Sequence, residues 1–275
     1  MPFQGSHGLV TAALRILLAP VRIAYGLYVL AVFFVTGSCA FALTVILPGL
    51  ERRRAVARFS SLAFLWLAGM PLTVRSASHL PRGQCVVVSN HASYLDGVVF
   101  TAALPPRFGF VIKREMAGVP LAGLLLRRLG SEFVERFNRH QGAADARRML
   151  RRAVEGNSLV FFPEGTFTRT PGLLKFHTGA FVTAARAGCP VVPAIVRGSR
   201  RALSPQGKLP RPGRIIVEIL PAVALTTKDP ATLPMDLRER SREAILRALG
   251  EPDLAGSHPH DPAPERPAQS LEQDA

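Results

Sequence analysis

The hydrophobic positions divide the chain into three unlike parts. Ile23 to Leu50 is a 28-residue run without one charged position. About 20 apolar helical residues cross a bilayer core, so this run is long enough. Arg15 and Arg22 precede it, Glu51-Arg52-Arg53-Arg54 follow it, and a second apolar stretch, Phe59 to Leu72, carries Trp66. With bases on both flanks, charge asymmetry gives no spanning orientation. Two helices dipping into one leaflet as a hairpin keep both flanks on one side, with Arg52 to Arg54 and Arg58 at the headgroups. A cleaved signal peptide ending at Ala40-Phe41-Ala42 would need an earlier apolar run that stops there. A buried soluble helix of this length exceeds the usual globular range.

From Gln84 onward the pattern alternates. Short β-branched runs predict strands at Cys85–Ser89, Phe108–Ile112, Glu132–Val134, Ser158–Phe162, Val191–Val196 and Ile215–Leu220. Between and after them, helical spacing falls at Leu95–Leu104, Leu121–Leu129, Asn138–Glu155, Gly179–Ala187 and Pro234–Leu249. Repeated β-α units predict an α/β fold, a mostly parallel central sheet of about seven strands covered by helices, preceded by the apolar membrane-binding hairpin. The expected division is membrane-associated helices over 1–71, an α/β domain over 72–250, and a disordered acidic, Pro-rich tail over 251–275.

Composition sharpens this picture. At 48% hydrophobic, the chain has too much apolar surface for a disordered protein. Its net charge of +15 is uneven: from Glu251 onward six acids face Arg266 alone, which leaves the first 250 residues at about +20. That excess calls for an anionic partner, whether nucleic acid, an acidic membrane or a phosphorylated substrate. Cys39, Cys85 and Cys189 are widely spaced, which suggests neither a disulfide framework nor a structural metal site.

Ligands in open α/β sheets bind outside the carboxyl ends of the strands, and the polar clusters fall there. Asn90-His91-Ala92-Ser93-Tyr94-Leu95-Asp96 follows the first strand, Phe162-Pro163-Glu164-Gly165-Thr166 follows the apolar one, Lys113 ends another, and Arg136 follows a fourth. A histidine takes a proton near neutral pH, and a carboxylate five residues later can hold its other ring nitrogen. No Gly-x-Ser-x-Gly elbow supplies a nucleophile, so the base would activate a hydroxyl on the substrate. A second reading stays open: Ser93-x-x-Asp96 is a capping-box pattern, and Asp96 could serve the helix start alone. Gly-x-Gly-x-x-Gly, P-loop and His-Glu-x-x-His patterns are absent.

The segment from His91 to Asp96 resembles the His-x4-Asp block of the glycerolipid acyltransferases, particularly bacterial 1-acyl-sn-glycerol-3-phosphate acyltransferases. Gly130 to Arg136 is similar to that family's second block, Phe162 to Thr166 to its Glu-Gly-Thr block, and Val191 to Ala194, with Pro193, to its fourth. The blocks occur in the family's order, and the resemblance covers roughly Leu72 to Val223. It implies acyl transfer without an acyl-enzyme: His91 as general base, Asp96 orienting it, and a lysophospholipid hydroxyl attacking acyl-CoA or acyl-carrier protein. It further implies that Arg136, Lys113 and Arg169 hold the lipid phosphate. Glu164, Gly165 and Thr166 would organise the glycerol and phosphate end, and Pro193 would shape the acyl site. The third block departs from the family pattern, because Phe167 and Thr168 stand between Thr166 and Arg169.

The expected enzyme therefore makes phosphatidic acid from 1-acyl-sn-glycerol 3-phosphate, with no metal and no cofactor beyond the acyl donor. Its place is the cytoplasmic membrane, on an anionic lipid surface, with the active site facing the cytoplasm. Alternatives are a different acceptor, such as a lyso-aminolipid, or a non-catalytic membrane or nucleic-acid binding protein using the basic Asn138–Glu155 helix and the Arg197–Arg201 turn. Nucleic acid is disfavoured because the 16 Phe and 3 Tyr lie mostly in apolar runs rather than among the bases.

Overall fold

A computed structural model describes residues 17–135, 150–168, 170–204, 207, 209–226 and 229–256. Helix α1 (Ala19–Ile46) turns at Gly49 (φ +82°) into α2 (Leu50–Leu67). The two form the expected hairpin. Tyr25 and Tyr28 donate to the carbonyls of Ala68 and Leu67 at 2.6 and 3.0 Å, satisfying acceptors that the end of α2 leaves open. Gly69, at φ +63°, closes α2 in a Schellman turn, with Met70 N–H donating to Leu65 O and Gly69 N–H to Trp66 O. The outer side of α1 leaves Leu27, Leu30, Phe33, Phe34 and Val35 exposed.

The basic residues at the turn do something other than meet headgroups. Arg54 is buried, and its guanidinium donates to the carbonyls of Arg107 (2.8 Å), Leu129 (2.9 Å) and Gly130 (3.4 Å). Arg53 donates to Leu47 O and Arg128 O. These contacts fasten the hairpin to the domain, because the carbonyls below it have no strand or helix partner to take. The expectation that Arg54 sits among lipid headgroups is corrected accordingly; Arg53 is half-buried and Arg52 exposed.

The sheet runs β1 (Leu72–Arg75), β8 (Ile215–Ile219), β7 (Val191–Arg197), β2 (Val86–Ser89), β5 (Ser158–Phe161), β3 (Phe108–Lys113) and β4 (Glu132–Val134) in spatial order. Neighbours are parallel except β7 and β8, so β1 and β8 run against the other five. The β1 strand was not foreseen, since Leu72–Arg75 sits at the end of an apolar run and carries little pattern of its own. A two-stranded ladder, β6 (Leu173–Leu174) with β9 (Asp253–Leu254), lies apart.

Helices cover both faces. Val87, Val192, Val196 and Val217 face a cluster with Phe64, Leu65, Met70, Val99 and Phe100, from α2, the turn after it and α3 (Asp96–Ala103). Val86, Val88 and Ile195 face Phe181, Leu237 and Ile245, from α5 (Gly179–Ala187) and α7 (Leu233–Leu249). Helix α4 (Ala122–Arg128) returns the chain from β3 to β4, and α6 (Ser199–Ala202) follows β7. The tail boundary needs correction. Residues 251–256 belong to the fold, because Leu173 and Leu174 pair with Asp253 and Leu254. Most of the expected Asn138–Glu155 helix lies outside the described residues; 150–154 are helical.

Candidate active site

At the carboxyl ends of the strands, Asn90 ties the end of β2 to β7 and Glu164, after β5, bonds the backbone of His91. Asn90 follows β2, and its amide acts as one more rung of the ladder. Its Oδ1 accepts Val196 N–H at 2.8 Å, and its Nδ2 donates to Val196 O at 3.1 Å. With the end of β2 held this way, the chain turns abruptly and presents His91. Ser93 Oγ donates to Leu203 O at 2.7 Å and accepts Leu95 N–H. Asp96 N–H donates to Ser93 O at 3.2 Å, closing the turn into α3.

Asp96 serves both of its expected readings with one oxygen. Its Oδ2 accepts from His91 Nδ1 at 2.8 Å, from Ala92 N–H at 2.6 Å and from Ser93 N–H at 2.9 Å. The contacts to Ala92 and Ser93 hold the turn that leads into α3, and the contact to His91 is the ring-orienting one. Asp96 is fully buried, and its Oδ1 has no hydrogen-bond partner among the described residues. With a carboxylate on Nδ1, the imidazole carries its proton there and offers Nε2 as the base.

The turn after β5 backs this arrangement. Gly165 N–H donates to Phe162 O at 3.0 Å around Pro163 and Glu164, and Gly165 takes φ +74°, a conformation that favours glycine. Glu164 points inward. Its Oε1 accepts the backbone N–H of His91 at 2.6 Å and its Oε2 that of Leu174 at 2.9 Å, at 4% exposure. Burial pushes its carboxyl up to about 8, against the pull of those two N–H groups and of Arg200. Both oxygens of Glu164 accept backbone N–H groups, which fixes the carboxyl between the His91 turn and the segment at Leu174.

Two aromatic rings enclose His91. Phe162 stacks on the imidazole with centroids 4.5 Å apart, and Phe167 meets it edge-on at 4.7 Å. Tyr94, 72% exposed, packs edge-on against Phe167. The other sequence-predicted residues spread outward from this centre. Lys113 is exposed at the end of β3, the second strand over from β2. Thr166 is exposed beside Phe167. Pro193 is buried in β7 opposite Val88; it accepts Leu220 N–H at 2.9 Å and has no N–H to return, and the β7–β8 ladder begins at Ala194. Arg136 and Arg169 lie outside the described residues. No group of three or more His, Cys, Asp or Glu side chains among the described residues has the geometry to hold a metal.

The acyltransferase family profile matches residues 71–197. The mouse protein named 1-acyl-sn-glycerol-3-phosphate acyltransferase alpha is 31% identical over 196 residues, which is 70% of this chain and 69% of that protein. The chain belongs to the acyltransferase family. A Haemophilus influenzae 1-acyl-sn-glycerol-3-phosphate acyltransferase is 32% identical over 151 residues, 53% of this chain and 61% of that one. The fold is also that of a Thermotoga maritima 1-acyl-sn-glycerophosphate acyltransferase, PlsC, at TM-score 0.68 and 18% identity over 83% of this chain and 96% of that one.

In this acyltransferase, several groups that shape the site carried no signal the sequence reading used. Asn90 and Phe162 belong to quoted blocks yet had no role assigned. Phe167 was noted only as an interruption. Its aromatic character next to a histidine-bearing turn was the available clue. Arg197 and Arg200, suspected of meeting nucleic acid, are engaged inside the protein. Arg197 pairs with Glu218 at 3.4 Å and bonds Ala248 O, and Arg200 bonds Thr168 O at 3.0 Å and Glu251 at 3.3 Å.

Proposed function

We propose that this acyltransferase moves a fatty acyl group from acyl-CoA or acyl-carrier protein to the free hydroxyl of a lysophospholipid, 1-acyl-sn-glycerol 3-phosphate being the acceptor. The reading rests on one observation above all. A histidine with Nδ1 on a buried aspartate stands at a strand-to-helix turn, and the serine beside it is fully engaged. In the proposed step, His91 Nε2 takes the acceptor's hydroxyl proton as the oxygen attacks the thioester carbonyl. The tetrahedral intermediate collapses by breaking the C–S bond, and the imidazolium returns its proton to the departing thiolate. Asp96 stabilises the imidazolium in between.

Lys113, Arg136 and Arg169 are proposed to hold the phosphate, since cations bind phosphate oxygens through charge-assisted hydrogen bonds. The exposed apolar side of α1 and the exposed Trp66 are proposed to seat the enzyme in one leaflet of the cytoplasmic membrane, with the site on the cytoplasmic side. Among the described residues one helix, Ala19–Ile46, is long and apolar enough to cross a membrane.

The experiment is purified full-length enzyme in detergent, given lysophosphatidate and labelled acyl-CoA or acyl-carrier protein, with products identified by mass spectrometry. Phosphatidate from the wild type and none from His91→Ala supports the reading. Acylation of a lyso-aminolipid in preference to lysophosphatidate would move the assignment to a different head group, an outcome that Phe167 directly after Glu-Gly-Thr makes worth including.

A further inference from the structure

The residues that hold His91 in place lead back to a part of the chain outside the matched family region, 71–197. After α7 the chain turns at Gly250 (φ +65°) and lays residues 251–254 along the segment that follows Glu164. Pro252 O accepts Leu173 N–H at 2.9 Å, and Asp253 and Leu254 pair with Leu173 and Leu174. Arg242 of α7 ties both sides together, donating to Leu173 O at 2.9 Å, Leu174 O at 3.1 Å and Asp253 at 3.0 Å. Gly172 lets the strap lie flush: a Cβ there, at φ +146°, would stand 2.3 Å from a Leu254 methyl.

Glu251 and Arg200 form the clasp of this strap. Glu251 Oε2 accepts Gly172 N–H at 2.6 Å and Arg200 Nη2 at 3.3 Å. The Arg200 guanidinium also donates to Thr168 O at 3.0 Å and to Thr170 O. One cation from α6 and one anion from the end of α7 thus take three backbone groups of a single loop. A planar guanidinium fork suits that task, and an ammonium does not.

Two routes run from the clasp to His91. The first passes through β6, because Leu174 N–H donates to the Glu164 carboxylate that also accepts His91 N–H. The second passes through Thr168 to its neighbour Phe167, whose ring packs at a steep angle to the imidazole with centroids 4.7 Å apart. Arg200 and Glu251 also act on Glu164 with opposite signs, the guanidinium favouring its ionised form and the carboxylate opposing it. Neither residue faces the His91 ring. Both hold the loop that does.

We propose that Arg200 and Glu251 are positioning residues of the acyl-transfer site, fixing the loop after Glu164 so that Phe167 covers one side of His91 and the acceptor meets a preformed pocket. The inference rests on the acyl-transfer reading for its kinetics. Its geometry is open to a test that needs no turnover.

That test measures the rate at which diethyl pyrocarbonate modifies His91 in the full-length protein, followed by mass spectrometry of the His91 peptide. In Arg200→Ala and Glu251→Ala the rate is expected to rise severalfold, as Phe167 leaves the ring. In the transfer assay the acceptor KM should rise about tenfold with kcat changed much less, the pattern of lost pre-organisation rather than lost chemistry. Glu251→Gln, which keeps an oxygen for Gly172 N–H, and Arg200→Lys should fall between wild type and alanine. Arg247→Ala, removing an exposed ion pair with Glu243 on the same helix, is the neutral control. An unchanged His91 rate in both alanine variants overturns the proposal whatever the transfer assay gives. So does a KM that merely tracks melting temperature across all four variants. Faster modification of His91 in a protein that acylates no lysolipid would leave the positioning role standing and remove the acyl-transfer reading.

Discussion

The Glu164 carboxylate accepts the backbone N–H of His91 at 2.6 Å, so the acid of the third sequence block supports the histidine of the first. Burial holds that carboxyl up at about 8, above the usual 4.5. An acid raised in the folded state contributes its full stability below the unfolded pKa, where it is protonated in both states. The contribution is lost as pH rises from 4.5 toward about 8, because only the unfolded chain releases the proton. The slope approaches about 1.4 kcal/mol per pH unit in that window. Glu164→Gln removes the titration, so the stability gap between wild type and variant should narrow as pH rises from 5 toward 8, as read by urea denaturation at a series of pH values. A constant gap would mean that the two N–H bonds outweigh burial and the carboxylate is ionised throughout.

Asp96→Asn separates the two duties of Asp96. The asparagine oxygen can occupy the place of Oδ2 and keep the N–H bonds of Ala92 and Ser93. Its amide nitrogen then replaces Oδ1, which has no partner among the described residues. The stability cost is that of one buried unpaired donor, about 1–3 kcal/mol. The activity cost is larger. Without the negative charge the imidazolium loses its stabilisation, and kcat should fall by about 10²–10⁴. His91→Ala should fall as far, and the double variant little further, because the pair acts as a unit. Near-normal activity in Asp96→Asn would reduce Asp96 to a helix cap.

Trp66 is the sole tryptophan and is 75% exposed near the end of α2. Phe59, seven residues earlier on the same helix, is also exposed, and together they offer an apolar surface of the kind that marks a membrane-interaction site. On vesicles of anionic phospholipid its emission should shift to shorter wavelength, and lipids brominated along the acyl chain should quench it. Emission that stays at its aqueous wavelength with membrane-bound protein would place α2 outside the bilayer and leave α1 alone as the anchor.

The central part of this architecture could be read from residues because burial imposes a pattern. Val86, Val87 and Val88 are all buried, facing both cores alternately, and such a run can scarcely be anything but an interior strand. What escaped the reading depends on pairings between distant residues. Asp253 and Leu254 are a strand only because Leu173 and Leu174 lie beside them, and the acidic, Pro-rich context of residue 251 onward masked that. Arg54 looked like a headgroup ligand because charge next to an apolar run has that meaning locally; three carbonyls from two other loops give it a different one. At the site, His91 and Asp96 were legible because five residues of local chain bring them together. The duty of Glu164 was not, since its partners are 73 residues before it and 10 after.

The engagement of Ser93 makes the mechanism testable by a covalent trap. A serine two residues from a catalytic histidine invites the thought of an acyl-enzyme. Yet Ser93 is buried, its Oγ donates to Leu203 O at 2.7 Å, and the same oxygen accepts Leu95 N–H at 3.2 Å. Freeing that hydroxyl would forfeit both of those hydrogen bonds. Cys85 and Cys189 are equally poor nucleophiles, since burial pushes both thiols up to about 11 and keeps them protonated at neutral pH. The proposed direct attack by the lipid hydroxyl uses neither Ser93 nor these buried thiols, and it leaves no covalent intermediate. Enzyme incubated with labelled acyl-CoA and no acceptor should release the donor unchanged and carry no label after denaturation. Adding lysophosphatidate should move the label straight to lipid, with no burst that scales with enzyme concentration. Ser93→Ala should keep turnover within about tenfold of wild type at a stability cost of about 1 kcal/mol, the worth of one or two ordinary hydrogen bonds. Stoichiometric label on Ser93 or on a cysteine would overturn the direct mechanism even with phosphatidate as the product.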